Sequence, residues 1–371
     1  MNSELIYQIA LTLIPNIGPV QAKILLQHCE AEEIFHAKRS FLEKIEGIGA
    51  VRAASIKNFH DLSKAEDEIK FIEKNKIKPL FLTDPAYPKR LLNCYDSPTL
   101  LYYKGDADLN ASMIIAVIGT RNNTGYAKQV TEKLLNDLAG QQVTIISGLA
   151  FGVDAIAHKA AVKNGLLTVG VLAHGLDQVY PPENTGLARE MIKHGGGILT
   201  EFRSRTKPDK HNFPSRNRIV AGMSDATIVI ETDIKGGSMI TAELANGYNK
   251  DVFAVPGKVT DTKSSGCNYL IRNNKALLLT GANDIIETLG WDALGQAQGR
   301  SQKTRKQREL FIELSPDEKL LVNILAEQEA VHIDEINLKS GLSSGTVAAA
   351  ILNLELQNVI VSLPGKLYRL N

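Results

Sequence analysis

The chain has 371 residues, of which 44% are hydrophobic, and its formal net charge is +1. That length predicts two or three domains, and the near-neutral charge excludes a global field that attracts nucleic acid, so any such binding must come from local patches. The three cysteines are scattered without metal or disulfide spacing, which is typical of a cytoplasmic protein. No apolar run approaches the roughly 20 residues of a membrane span. The first residues do not resemble a signal peptide.

Residues 1–65 are predicted to be wholly helical. Two similar phrases, IPNIGP at 14–19 and IEGIGA at 45–50, each separate two helices, and glycine permits the tight turn between them. The pair is typical of a helix-hairpin-helix (SAM-like) domain, whose turns can offer backbone N–H groups to a DNA phosphate. Because seven acidic residues balance seven basic ones here, we favour the alternative, a packing or protein-interaction domain of the same shape.

Residues 66–110 are predicted to form a connector with its own structure. A helix at 66–74 leads to a short strand at 79–83, and prolines and turn residues then alternate with apolar residues. We expect this connector to pack as an extension on the edge of the domain that follows, and we place both in one domain, residues 66–290.

From about Ala111 onward, strand, glycine-rich turn and helix repeat. The predicted strands are runs of Val, Ile and Leu at 113–119, 143–147, 166–173, 195–201, 225–231, 251–257 and 276–280. The predicted helices are at 125–140, 153–165, 183–194, 213–223, 240–248 and 267–274. This alternation predicts an α/β domain whose parallel sheet is covered on both faces. Ligands bind such sheets outside the carboxyl ends of the strands, so we look for function in the loops there.

One of these loops, residues 200–218, is strongly basic. It carries six Lys or Arg residues against Glu201 and Asp209, with Phe213 in the middle of the charge. Cations follow a phosphate backbone and an aromatic face stacks on an unpaired base, so this combination indicates binding of a single-stranded nucleic acid. The alternative is a solvated basic loop with a buried phenylalanine.

Four loops are predicted at the carboxyl ends of the strands: residues 119–125, 147–154, 200–218 and 235–241. Their glycines let backbone amides approach an anion, and the helix N-termini that follow favour negative charge. Because the loops converge in such a fold, we expect Arg121, Lys210, Arg216 and Arg218 to face one pocket. Neither GxGxxG nor GxxxxGK(S/T) occurs, which gives no support to ordinary dinucleotide or P-loop ATP binding.

The C-terminal residues depart from this pattern. Residues 291–314 are rich in Gln, Lys and Arg and are predicted to be a flexible linker. Residues 315–371 open with a capping box, Ser315 with Glu318, and continue as helix, turn, helix and a hairpin turning at 364–365, which is typical of a winged helix-turn-helix. The second of these helices has no Lys or Arg, and the block has seven acidic residues against four basic ones, so we favour protein contact over duplex recognition.

The phrases at these loops resemble those of a known family. VIGTRNNTGYA, SGLAFGVDAIAHKAA, GLDQVYPPEN, NFPSRNRIVAGMSDATIVIE, GGSMITAELA, VFAVPG and GCNYLIRNNKA, which span residues 117–276, are similar to phrases of the bacterial DNA-processing protein A family (DprA/Smf) of natural transformation. The resemblance implies an extended Rossmann-like domain flanked by a helical N-terminal domain and a C-terminal winged helix. It also implies a homodimer that binds and protects incoming single-stranded DNA and loads the RecA recombinase onto it, with no enzymatic activity, metal or cofactor.

The same resemblance implies the binding residues. The family's pocket uses an arginine after the first glycine loop, here Arg121, and a lysine three residues before a phenylalanine, here Lys210 and Phe213. Together with the F-P-x-R-N-R phrase and the glycine loops, the predicted single-stranded DNA site comprises Gly119, Arg121, Ser147, Gly148, Lys210, Phe213, Arg216, Asn217, Arg218, Gly237 and Ser238.

The rival hypothesis is an enzyme. The chain also resembles the cytokinin-activating phosphoribohydrolases, which are Rossmann-like nucleotide hydrolases, at residues 236–243, although two residues of their phrase differ here. In that case Glu243 is the candidate general base. Asp154 and His158 lie one helical turn apart, and for this pair we favour a helix cap and a structural hydrogen bond. The histidines show no metal-ligand spacing.

Overall fold

The structure is a computed structural model that describes residues 3–291, 314–326, 331–357, 359–363 and 366–370. The chain divides into two compact units, Met1–Gly299 and Arg300–Asn371. Most of the linker predicted at 291–314, and the hairpin turn predicted at 364–365, lie outside the described residues.

The first unit begins with the predicted helices. They are α1 (Ser3–Leu11), α2 (Pro19–Leu26), α3 (Ala31–His36), α4 (Arg39–Leu42), α5 (Gly49–Lys57) and α6 (Ser63–Asn75). The glycine phrases lie at the turns that precede α2 and α5. In the second turn, Gly47 has a φ of +84°, a backbone conformation that residues with a side chain rarely adopt. Buried Ile, Leu and Ala side chains of these helices form one core, which Ile72 of α6 and Tyr102 also join. A domain boundary after residue 65 therefore stays a prediction.

The described part of this unit then forms one nine-stranded sheet. Its strands are β1 (Lys78–Phe81), β2 (Leu100–Gly105), β3 (Met113–Ile118), β4 (Val143–Ser147), β5 (Thr168–Val171), β6 (Gly197–Thr200), β7 (Ala226–Val229), β8 (Asp251–Ala254) and β9 (Leu277–Leu278). Their spatial order is β1-β2-β6-β5-β4-β3-β7-β8-β9. The seven strands β6-β5-β4-β3-β7-β8-β9 are neighbours in this order and all pair in parallel, which confirms the predicted Rossmann-like parallel sheet.

The connector extends the following domain at one edge of its sheet, as predicted, because β1 is the edge strand and β2 is its neighbour. The strand β2 itself was not among the predicted elements. Strand β2 pairs antiparallel with β6, with Tyr102 opposite Thr200, and β1 pairs antiparallel with β2. The first four side chains of β2 are all buried. A strand with neighbours on both sides satisfies its backbone hydrogen bonds, which explains why this apolar run joins the sheet.

Helices cover both faces of the sheet. They are α7 (Lys89–Leu92), α8 (Gly125–Asp137), α9 (Val153–Lys163), α10 (Thr185–Lys193), α11 (Asn212–Met223), α12 (Gly237–Gly247), α13 (Ser265–Arg272) and α14 (Ala282–Thr288). The predicted helices are confirmed, with ends that differ by at most one turn. Side chains of β3 alternate between two cores: Ile114 and Ala116 share a core with α11 and α12, whereas Ile115 and Val117 share one with α8 and α9. This two-sided burial explains the continuous apolar strands.

The second unit has the predicted winged-helix order. It consists of α15 (Pro316–Leu325), β10 (Val331–His332), α16 (Ile333–Ser340), α17 (Ser344–Leu356), β11 (Ile360–Leu363) and β12 (Leu367–Leu370). The strands form an antiparallel sheet in the order β10-β12-β11. The predicted capping box opens α15, because Glu318 N–H donates to Ser315 Oγ at 3.3 Å and Ser315 N–H donates to Glu318 Oε2 at 2.8 Å. Across the described residues of both units, no helix is long and apolar enough to cross a membrane.

Candidate nucleic-acid interface

Loops at the carboxyl ends of the parallel strands surround a cleft of about 700 Å³. The loop after β3 contributes Arg121, the loop after β4 contributes Gly148, and the loop after β7 contributes Gly237. The basic stretch 200–218 contributes through the residues around the start of α11. The predicted site residues that line this cleft are Gly119, Arg121, Gly148, Lys210, Phe213, Arg216, Asn217, Gly237 and Ser238.

The loop that carries Arg121 is held in place by Glu231, a buried carboxylate. Thr124 N–H donates to Glu231 Oε2 at 2.9 Å, and Thr124 Oγ1 donates to Oε1 at 2.6 Å. The backbone carbonyl of Glu231 accepts from Thr120 N–H at 2.7 Å. Hydrogen bonds to an ionised carboxylate are strong, so the backbone is fixed on both sides of Arg121 while its side chain stays exposed.

Arg121 and Phe213 form a cation–π pair. The guanidinium carbon lies 5.1 Å from the centroid of the Phe213 ring. The ring of Tyr180 is also close, with its centroid 6.4 Å from that of Phe213 and the two planes at 52°. A guanidinium over an aromatic ring makes one flat cationic surface, on which an unpaired base can stack while a phosphate contacts the charge.

The guanidinium of Arg216 lies over Gly148. Arg216 is only 5% exposed, and its Nη1 donates to the Val171 carbonyl at 3.0 Å. A Cβ on residue 148 would lie 1.5 Å from Nη1, so glycine is needed there to leave room for the arginine. We expected Gly148 to let the backbone approach an anion, but its clearest role is to seat a buried positive charge in the wall of the cleft.

Two titratable groups lie close to Arg216. Burial raises the pKa of Asp154, and the charge of Arg216 opposes this rise. Burial is also the main reason why the pKa of His158 falls to about 3, with repulsion from Arg216 as a second cause. Asp154 accepts from Ala150 N–H at 3.3 Å, and His158 Nδ1 lies 2.7 Å from Thr168 Oγ1. The contact of His158 is a structural hydrogen bond, as we favoured. The expected cap is not formed, because Ala150 lies before the N-cap residue Gly152 and α9 has no side-chain cap.

The loop after β7 presents the N-terminus of α12 to the cleft. Ser238 Oγ donates to Thr232 Oγ1 at 2.7 Å and so ties the start of the helix to the preceding strand end. A Cβ on Gly237 would meet no atom within 4 Å, so the space beside the first residue of the helix is open. The first N–H groups of a helix have no partners within the helix, and this end therefore favours an anion.

Charges of both signs line the cleft: Arg121, Lys210 and Arg216 with Asp154 and Asp233. Asp154 and Arg216 are buried beside each other, whereas Arg121 and Lys210 are exposed. A ligand at the opening therefore meets two cations against the carboxylate of Asp233, and the accessible field is positive.

Two predicted site residues lie elsewhere. Ser147 is fully buried, and its Oγ donates to the Val117 carbonyl at 2.6 Å. Arg218 does not line the cleft and forms a largely buried ion pair with Glu201. Two positions along an α-helix rotate a side chain by about 200°, so Arg216 and Arg218 of α11 cannot face the same side.

The structure gives Glu243 no place in the cleft. Its carboxylate lies 2.7 Å from Lys275 Nζ on a half-exposed surface of α12. Within the ranges that the structure describes, no group of His, Cys, Asp and Glu is arranged to hold a metal ion. The cleft thus offers cations, an aromatic ring and helix N–H groups, a set that binds an anionic polymer with exposed bases.

Sequence reasoning missed Tyr180 as a neighbour of the cleft. Tyr180 lies in the loop after β5, which also leaves the carboxyl edge of the sheet but was not among the four loops considered. The rule that located the other loops would have found it. The contact between Arg216 and the Val171 carbonyl has no signal in the sequence, because it depends on how α11 packs against the sheet.

Two protein-family models match the chain. "DNA recombination-mediator protein A" matches residues 78–290 and "DprA winged helix domain" matches residues 306–366. Protein Smf of Synechocystis sp. is 34% identical over 400 residues, which cover 99% of each chain. The family model covers more than half of the chain, and this relative covers nearly all of it.

Two solved structures are also similar. The X-ray structure of DNA processing protein A from Streptococcus pneumoniae has a TM-score of 0.66 and 31% sequence identity, and covers 76% of this chain and 97% of that one. A structure of DNA processing protein A from Helicobacter pylori, which concerns the single-stranded DNA binding mode of that protein, has a TM-score of 0.53 and 34% identity, with 58% and 97% covered.

Proposed function

The chain belongs to the DprA/Smf family of DNA recombination-mediator proteins, and on that premise we propose that it binds single-stranded DNA in the cleft. The observation that carries this proposal is the meeting of Arg121, Lys210 and Phe213 at one opening. An exposed cation beside an aromatic ring supplies a charge for a phosphate and a face for a base. The single-stranded DNA binding of the Helicobacter pylori relative supports the same ligand.

Single strands are favoured over duplex for a physical reason. Bases in a duplex are stacked on each other and paired, so the Phe213 ring can stack only on a base that is already free or has been extruded at a cost of a few kcal/mol. The phosphates, in contrast, can contact Arg121, Lys210 and the N-terminus of α12 in either form of DNA. The aromatic contact therefore provides the selectivity, and the charges provide most of the affinity.

Fluorescence anisotropy with labelled oligo-dT and the matching duplex, at two salt concentrations, tests this proposal. We expect preference for the single strand and, for Arg121→Ala, a slope of log affinity against log salt that is shallower by about 0.7, the value for one phosphate contact. Lys163→Ala is the matched control, because Lys163 ends α9 about 15 Å along the helix from its start beside the cleft. Equal binding of both DNA forms, or an Arg121→Ala variant that binds like the control, would contradict the proposal.

We further propose that the protein acts as a homodimer that protects incoming single strands and loads RecA onto them. Membership of the family supports this step, and no catalytic residue is proposed. The test is the rate of RecA-dependent ATP hydrolysis on oligo-dT that is first coated with a single-strand-binding protein. Addition of the wild-type chain is expected to shorten the lag, and Arg121→Ala is expected to do so less. A lag that the wild-type chain leaves unchanged would count against loading.

A further inference from the structure

A second groove adjoins the cleft at Phe213. It has a volume of about 670 Å³, and it shares Lys210 and Phe213 with the cleft. We name it the side groove; its wall also carries Asp177, Gln178, Tyr180, Arg205, Lys207 and Asp209. Because Phe213 lines both depressions, a linear polymer that occupies the cleft can continue into the side groove without leaving the protein surface.

Tyr180 lines the side groove beside Phe213. It is 46% exposed, and it also lines a small depression that contacts Arg121 and Phe213. The Tyr180 and Phe213 rings are tilted at 52°, so they are not stacked on each other. Two neighbouring aromatic rings that do not cover one another offer separate faces to successive bases.

The basic residues Arg205 and Lys207 of the side groove belong to a loop whose backbone conformation is held by hydrogen bonds. Arg205 has a φ of +63°, a conformation that residues other than glycine rarely adopt and that persists only where the surroundings impose it. Its N–H donates to Asp177 Oδ1 at 2.9 Å. The next carbonyl, that of Thr206, accepts from Gly175 N–H at 3.1 Å and from Gln178 Nε2 at 3.3 Å. The loop is therefore shaped before any ligand arrives, while the side chains of Arg205 and Lys207 are exposed.

The N-terminal helices also hold this loop. Glu68 of α6 is buried and accepts from Ser204 N–H at 2.9 Å and from Ser204 Oγ at 2.6 Å. The two carboxylates in the groove wall are engaged with the backbone as well, since Asp209 accepts from His211 N–H at 2.8 Å and Asp177 accepts from Arg205. The groove wall carries three basic side chains, Arg205, Lys207 and Lys210, against these two acidic ones, so its formal charge is positive by one.

We propose that the side groove is a second subsite for the same single strand. The strand leaves the cleft past Phe213, stacks its next base on Tyr180, and places its phosphates beside Arg205 and Lys207. This inference rests on the proposed function, because it extends the path of the DNA that the cleft binds. It assigns to the outer part of the basic stretch a contact with DNA rather than with solvent alone.

The test is the binding of an oligo-dT length series, measured by anisotropy at several salt concentrations. The variants are Tyr180→Ala, the conservative Tyr180→Phe, and the double variant Arg205→Gln with Lys207→Gln. The double variant Lys159→Gln with Lys163→Gln removes the same charge from α9 and is the control. All of these side chains are exposed, and circular dichroism verifies that the variants fold.

We expect the variants to bind the shortest oligonucleotides like wild type and to lose affinity only for longer ones. For long oligo-dT, Tyr180→Ala is expected to bind at least about 5-fold more weakly, Tyr180→Phe to bind like wild type, and the Arg205–Lys207 variant to have a salt slope shallower by about 1.4, twice the value for one contact. If these variants match the control at every length while Arg121→Ala loses binding, the side groove is not a subsite and the cleft remains one. If wild type binds no oligo-dT, the proposed function fails and this inference fails with it.

Discussion

Replacing Gly148 with alanine tests how the cleft is built. The added Cβ would lie 1.5 Å from Arg216 Nη1 and 2.3 Å from its guanidinium carbon, so the guanidinium must move. It then loses its 3.0 Å hydrogen bond to the Val171 carbonyl, and Asp154 loses the nearby charge that opposes its raised pKa. A hydrogen bond from a charged donor contributes about 1.5–3 kcal/mol, and we expect Gly148→Ala to lower the free energy of unfolding by an amount in that range.

Urea denaturation followed by circular dichroism measures this loss. Gly125→Ala is the matched control, because a Cβ at the start of α8 meets no atom within 4 Å. Since Arg216 lines the cleft, Gly148→Ala is also expected to bind oligo-dT about 10-fold more weakly, which corresponds to about 1.4 kcal/mol. A Gly148→Ala protein with the stability and affinity of the Gly125→Ala control would refute the account of how Arg216 is seated.

Three other perturbations test the supports of the site. Glu231→Gln places an amide against the Thr124 donors and is expected to cost about 1–3 kcal/mol of unfolding free energy in urea; an unchanged midpoint would contradict the anchoring role. Glu68→Ala frees Ser204, and mass spectrometry is expected to show faster tryptic cleavage within the basic stretch; unchanged cleavage would mean that other contacts hold the loop. The pKa of His158 is about 3 in the folded protein, below its ordinary value of about 6.5. As the pH falls, the unfolded chain therefore binds a proton at His158 before the folded protein does. The free energy of unfolding then decreases between about pH 6.5 and 3, by at most about 1.4 kcal/mol per pH unit. His158→Gln is therefore expected to flatten the fall in stability between about pH 6.5 and 5, and a profile as steep as that of wild type would contradict the assignment.

The fold was largely predictable because its signals are local. Buried parallel strands are continuous apolar runs, and the helices between them have one apolar face, so both follow from periodicity. Strand β2 was not predicted because proline and turn residues precede it, and its pairing with β6 joins residues that are far apart in the sequence. No local pattern encodes that partner.

The sequence allowed us to predict which loops form the candidate site. It did not allow us to predict in which direction each side chain of those loops points. The parallel-sheet rule placed Arg121, Lys210 and Phe213 at the same edge of the sheet, where the structure has them. The F-P-x-R-N-R phrase suggested that both of its arginines face the pocket, but the helical rotation sends Arg218 to Glu201. Seating of Arg216 over Gly148 is likewise a packing result, since it depends on the distance between α11 and the loop after β4.

Photocrosslinking of the full chain to oligo-dT that carries 5-iodouracil, followed by mass spectrometry of the linked peptides, identifies the residues that contact the single strand. The iodinated base reacts with aromatic side chains that stack on it. We expect links at Phe213, and fewer of them in the Arg121→Ala protein, because its weaker binding lowers the occupancy of the cleft. Links confined to residues 1–65 or 315–371, with none in the basic stretch, would contradict the placement of single-stranded DNA at the carboxyl ends of the strands.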